Sequence, residues 1–163
     1  MSNEQNIEKM PRLILTAGLP GAGKSTSLKN SDFAGLPVVD PDVEKEGMKG
    51  YDPKNISLEI HNESKRIARR KHLSFLANGE SFILDGTGTN VEKYIQYINE
   101  AKELGYEVVL FYVEVSTKTS IERNAKRSRT VPVEVILEKS SIIGQSTKMI
   151  GSICDKFITV NND

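Results

Sequence analysis

The feature that most constrains this chain is an eight-residue stretch near its start, Gly18-Leu19-Pro20-Gly21-Ala22-Gly23-Lys24-Ser25. It fits G-x-x-x-x-G-K-[ST], a loop whose glycines let successive backbone amides turn inward around an anion. Such a loop needs a strand before it and a helix after it. Leu13 to Ala17 is apolar without alternation, as in a strand buried on both faces. Lys24-Ser25-Thr26 opens a helix whose positive dipole end faces the loop. The nucleotide-binding set is then Gly18, Gly21, Ala22, Gly23, Lys24, Ser25 and Thr26. Lys24 would reach the β- and γ-phosphates and the Ser25 hydroxyl would ligate Mg²⁺, so ATP and Mg²⁺ are the expected nucleotide and metal.

The rest of the chain alternates strand and helix patterns. Strands are expected at 37–40, 81–85, 108–115 and 156–160, and helices at 57–78, 91–104 and 117–125, with a further helix starting at Pro132. Residues 41–55 carry Pro41, Gly47, Gly50 and Pro53 and suggest loop or short helix. This order implies an α/β fold with three layers: a parallel sheet of about five strands between helices, plus a short helical lid over the loop. Residues 1–10 look like a flexible tail and 11–163 like a single domain.

Charge and composition narrow the class. Lys plus Arg and Asp plus Glu both number 22, so the net charge is zero, which excludes a protein that coats nucleic acid over a broad basic surface. The polar start is not a signal peptide, and no apolar run suits a membrane span. Cys154 is the only cysteine, so no internal disulfide is possible. A cytoplasmic location, bacterial or in a phage-infected host, is the expectation.

In parallel sheets of this kind the site lies at the carboxyl ends of the strands. Asp40 and Asp42 follow the second strand and Asp85 ends the third. Asp85 is the candidate second metal carboxylate, beside Ser25. Asp42, with Asp40 as the alternative, is the candidate base that orients or deprotonates an acceptor hydroxyl. If Val39-Asp40-Pro41-Asp42 is extended, both carboxylates face one pocket. No Asn-Lys-x-Asp element for guanine occurs, and Asp85 is followed by Gly86 rather than a hydrolytic Glu. Transfer to a bound hydroxyl is therefore favoured over hydrolysis. Between Lys118 and Arg129 stand five basic residues and one acid, Glu122. Arg123 and Arg127, four apart, are expected to share a helical face and clamp the transferring phosphoryl group. A second basic stretch, Lys65 to Lys71, could grip a polyanion. Arg66, Arg70, Thr87 and Arg129 join Asp40 as candidate acceptor contacts. Cys154 suits a small core residue.

Taken together, these residues resemble the small P-loop kinases of the polynucleotide 5′-kinase and zeta-toxin group. Leu13-Ile14-Leu15-Thr16 with the loop is similar to the opening of a phage polynucleotide kinase. Arg123-Asn124-Ala125-Lys126-Arg127 with Val131-Pro132 is similar to that family's lid. The resemblance gives Asp42 the position of the general base. It puts Lys45 where the family often has a substrate-contacting Arg. Asp40-Pro41-Asp42, Gly50-Tyr51-Asp52, His61-Asn62-Glu63-Ser64 and Leu84-Asp85-Gly86-Thr87-Gly88 look more like the zeta-toxin branch. The implied activity is ATP-dependent phosphorylation of a hydroxyl, with a nucleic acid contacted locally as the preferred acceptor. That hydroxyl would be a 5′ end or a hydroxymethyl-modified base, as in a phage DNA-modification kinase. A UDP-linked amino sugar or another small molecule is the alternative. A non-catalytic ATP-binding regulator is the reading from another class.

Overall fold

The structure is a computed structural model that describes residues 10–163. The tail expected at residues 1–10 thus falls almost wholly outside the described residues. Five strands form one sheet, β1 (Arg12–Ala17), β2 (Val38–Val39), β3 (Phe82–Leu84), β4 (Glu107–Glu114) and β5 (Lys156–Asn161). Six helices connect them, α1 (Lys24–Lys29), α2 (Pro41–Glu46), α3 (Leu58–Asn78), α4 (Val91–Glu103), α5 (Thr117–Ala125) and α6 (Val133–Ile153).

The strand order is β2-β3-β1-β4-β5, and every pair is parallel. The order follows from hydrophobicity. Leu13, Ile14 and Leu15 of β1 and Val108 to Leu110 of β4 have no exposed surface, although adjacent residues point to opposite faces. Only strands covered by helices on both sides can be so apolar, and they take the centre. β5, alternating between half-buried and exposed residues, takes an edge.

Local signals place the helices. Ser57, Asn90 and Ser116 cap α3, α4 and α5 by accepting from the amides of Ile60, Lys93 and Thr119. Gly79, at φ 66°, ends α3 in the left-handed region that glycine favours. The buried stripe of α3 is Ile60, Ser64, Ala68, His72 and Leu76, four apart throughout. Half-buried Cys154 follows α6 and packs against the core, and burial pushes its thiol up to about 11.

The junction after β3 is tight. Gly88 has φ +80°, and a Cβ there would stand 2.4 Å from the Ala17 side chain. Gly88→Ala should therefore lower unfolding free energy by about 1–3 kcal/mol, read as a lower urea midpoint with unchanged slope.

Candidate nucleotide and acceptor site

The carboxyl ends of β1 and β3 are tied together before any ligand is considered. Thr16 Oγ1 donates to Asp85 Oδ1 at 2.8 Å and accepts from the Gly86 amide at 3.0 Å. The buried Tyr94 hydroxyl donates to the Thr16 carbonyl at 2.6 Å. The same hydroxyl leaves no room at position 86, where a Cβ would stand 2.3 Å from it. Lys24 Nζ donates to the Gly86 carbonyl at 3.0 Å and lies 3.7 Å from Asp85 Oδ2.

The phosphate loop turns through Gly21 and Gly23 at φ 76° and 86°, and α1 starts with no side chain capping its amides. Two members of the expected nucleotide set have their amides engaged elsewhere. Gly18 N–H donates to the Thr87 carbonyl and Ala22 N–H to the Leu19 carbonyl, both at 3.0 Å. Both bonds shape the loop. The Ala22 carbonyl accepts from Asn162 Nδ2 at 2.7 Å and from Arg123 Nη1 at 3.4 Å, and Arg123 Nη2 donates to the Asn162 carbonyl at 2.8 Å. Arg123 thus braces the loop while also lining the cavity over it.

A cavity of about 540 Å³ opens over the loop, lined by residues 20–26 together with Asp40, Asp42, Asp85, Arg127 and Arg129 among others. Asp40 and Asp42 share this cavity, but not for the reason expected. The segment is not extended through Asp42. Asp40 is the N-cap of α2, accepting from the Asp42 amide at 2.9 Å, and Asp42 lies in the first helical turn. Asp42 Oδ2 meets Arg129 Nη2 at 2.5 Å and its Oδ1 meets Lys45 Nζ at 3.2 Å. Lys45 is 6% exposed, so it is a buried partner of Asp42 instead of a free acceptor contact. Arg127 lies beyond the end of α5, whose C-cap is Lys126. The two arginines therefore do not stack on one helical face, although both line the cavity.

The two carboxyls differ in acidity. Burial raises Asp40, and the nearby Asp85 charge adds to it, lifting it to about 6. Burial would also raise Asp42, but the hydrogen bond and charge of Arg129, with Lys45 behind, outweigh it and hold Asp42 below the usual range. Two carboxylates repelling across one oxygen-rich cavity are a setting that a hard divalent cation relieves. The Ser25 hydroxyl and the Asp85 carboxylate are hard oxygen donors of that kind, so the residues present fit Mg²⁺ held jointly with phosphate oxygens. Among the described residues no cluster of three or more His, Cys, Asp or Glu forms a site complete without such a partner.

A second cavity, about 470 Å³, lies on the far side of the β3–α4 loop. The two cavities share Asp85, Thr87 and Lys139. Lys139, on α6, has Nζ 3.5 Å from Thr87 Oγ1. It stands outside every motif, and no sequence pattern singled it out. The α3 cations divide. Lys65 and Arg69 line the second cavity, whereas Arg66 and Arg70 line neither. Arg66 pairs with Glu63, Arg69 with Glu100 at 2.6 Å and Lys71 with Glu44. Most of the stretch expected to grip a polyanion is therefore already neutralised.

A family model described as AAA domain matches residues 13–141. Solved structures share the fold at low identity. A chain of the PezAT chromosomal toxin-antitoxin system of Streptococcus pneumoniae is 17% identical with a TM-score of 0.76, over 98% of this chain and 74% of that one. A chain of the AvrRxo1-ORF1:AvrRxo1-ORF2 complex, a complex also solved with ATP, is 20% identical with a TM-score of 0.70, over 86% and 50%. A chain of the Pnkp1/Rnl/Hen1 RNA repair complex is 17% identical with a TM-score of 0.70, over 90% and 48%. The chain thus spans about half the length of the last two. The fold is that of the P-loop kinases, and no described helix is long and apolar enough to cross a membrane.

Asp40 carries a stability prediction. Its folded pKa of about 6 exceeds the ordinary 3.8, so its contribution is fully favourable below pH 3.8 and is lost as pH rises through 6. Asn at this position keeps the cap. Asp40→Asn should therefore gain on the order of 1–2 kcal/mol at pH 8, after allowance for solvent screening, and little at pH 4. Thermal unfolding at the two pH values checks the difference.

Proposed function

The chain belongs to the AAA domain family, and from that premise we propose that it transfers the γ-phosphate of ATP to a hydroxyl acceptor. The observation that carries this reading is the pair of cavities meeting at Asp85, Thr87 and Lys139, one over a phosphate loop and one beyond it. A donor in the first and an acceptor in the second would bring γ-phosphate and hydroxyl to that junction, which is the positioning phosphoryl transfer depends on.

Gly21, Gly23, Lys24, Ser25 and Thr26 cradle the triphosphate, with Lys24 turning from the Gly86 carbonyl to phosphate oxygens. Ser25 and Asp85 hold Mg²⁺, which supplies charge neutralisation on those oxygens. The acceptor oxygen bonds to the γ-phosphorus, the bond to the β–γ bridging oxygen breaks, and ADP leaves. The hydroxyl proton passes to a carboxylate. Asp40 is the better proton acceptor near neutral pH, because its pKa of about 6 matches the task. Its neighbours Val39 and Pro41 line the second cavity while Asp40 itself lines the first. Lys139 and the exposed Arg127 offer positive charge to the transferring group.

A second reading keeps Asp42 as the carboxylate that orients the acceptor. It is favoured by Arg129, which binds Asp42 and lines the loop cavity together with Arg127. A 5′-hydroxyl nucleic-acid end, or a hydroxymethyl base in DNA, entering that cavity would meet two arginines. The paired cations of α3 weaken this route and leave a small molecule as the first choice.

Labelled ATP offered with 5′-hydroxyl DNA, 5′-hydroxyl RNA, hydroxymethyl-modified DNA and UDP-amino sugars tests the proposal. Lys24→Ala should abolish labelling of every acceptor; unchanged turnover would sink the assignment. Asp40→Asn should reduce kcat by about 10²-fold or more with ATP affinity retained. If Asp42→Asn has that effect and Asp40→Asn does not, the second reading stands in its place. Lys139→Met should reduce kcat by about 10²-fold, with partial recovery in Lys139→Arg.

A further inference from the structure

The loop cavity takes two of its cations from a segment with few bonds of its own. Residues 126–130 lie between α5 and α6, and 128–130 make no backbone hydrogen bond among the described residues. The segment nevertheless has a defined face. Arg127 and Arg129 line the cavity, and Lys126 and Ser128 do not. Alternation of this kind needs a backbone that is held. Asn124 holds it. This residue is 3% exposed and sits in the last turn of α5. Its side-chain amide bonds Val131 twice: Nδ2 donates to the Val131 carbonyl at 2.8 Å, and Oδ1 accepts from the Val131 N–H at 3.0 Å. Its backbone carbonyl accepts from the Arg127 N–H at 3.1 Å. One residue therefore grips both ends of the segment.

Asparagine is a poor helix former, favoured where it caps an amide or takes a left-handed backbone at a helix end. Asn124 does neither. Ser116 caps α5, and no described residue other than glycine has a positive φ. What the position uses is an amide whose donor and acceptor, side by side, match one peptide unit. The clamp is also seated on the phosphate loop. Ser120, with no exposed surface, donates from Oγ to the Pro20 carbonyl at 2.6 Å. A Cβ at Gly21 would stand 3.0 Å from Arg123 Cβ and 3.2 Å from the Asn124 backbone nitrogen. α5 thus lies directly against the loop, and Asn124 relays that position to Val131. Arg129 ties the segment to Asp42, which leaves Arg127 as its cavity-facing cation with no carboxylate partner among the described residues.

We propose that Asn124 is a positioning residue for phosphoryl transfer, pinning Val131 so that Arg127 is held toward the γ-phosphate. This rests on the phosphotransferase reading and adds to it a residue that touches neither substrate. A guanidinium on a held segment loses less freedom on meeting its phosphate, so the clamp is read in affinity for that phosphate.

The test compares Mg²⁺·AMP-PNP with Mg²⁺·ADP by calorimetry on the whole chain, because the two nucleotides differ by the γ-phosphoryl group. The ratio of their affinities is insensitive to the folded fraction, which scales both alike. Arg127→Ala should lower the preference for AMP-PNP about tenfold. Asn124→Ala should lower it by a similar factor. Asn124→Ala/Arg127→Ala should lower it no further than either alone, because the two residues act through one contact. Asn124→Asp keeps the bond from the Val131 N–H and loses the donor to its carbonyl. It should give a smaller fall, and it keeps the test informative if the alanine variant does not fold. The proposal is overturned if the Asn124 variants keep the full preference, if the double variant loses the product of the two single effects, or if Arg127→Ala leaves the preference intact. Failure of the broader reading has its own signature, which is absence of affinity for either nucleotide in the unmodified chain.

Discussion

The hydrogen bonds around Thr16 hold the working end of the molecule together. One hydroxyl bonds both the Asp85 carboxylate and the Gly86 amide, and the carbonyl of the same residue takes the Tyr94 hydroxyl. Two central strands, the loop after the second and the helix that follows are thereby locked to one another by side chains as well as by the β-ladder. The lock fixes Asp85 in direction, places the Gly86 carbonyl within reach of Lys24 and leaves position 86 without space for a Cβ. Burial strengthens each contact, because Thr16 has no exposed surface and solvent cannot compete for its partners.

From that lock the electrostatics follow. Burial raises Asp40, and the charge of Asp85, held nearby by Thr16, adds to it. Asp42, two residues on, has the opposite fate because Arg129 and Lys45 hold it. Two acids in a four-residue segment thus have different chemistry, set by partners that lie 87 residues and three residues away. Positive charge is similarly divided between cations bound to carboxylates and those left facing the cavities.

Much of the fold was legible because its signals are local. The apolar run of β1 and the glycine loop that follows it each act within a few residues of where they stand. What was not legible depended on distant pairing. The basic run on α3 looked like a polyanion grip because nothing in it shows that Glu44 and Glu100 lie opposite. Lys139 sits in no motif and matters only because α6 crosses behind Thr87. His72 directly follows that basic run in sequence, yet it belongs to a buried stripe that also contains Ser64. A stripe with polar members carries a weak periodic signal.

The bracing of the phosphate loop by Asn162 and Arg123 has a consequence for how the protein is made. The loop is finished near residue 25, yet the partner that grips the Ala22 carbonyl is 140 positions further along. During synthesis from the amino end, the loop leaves the ribosome long before its brace exists. The nucleotide site is therefore among the last parts to mature, since contacts of such sequence separation must wait for the intervening chain to collapse. A nascent chain would expose an unbraced glycine loop until β5 docks at the edge of the sheet. Binding competence then marks completion of the whole sheet.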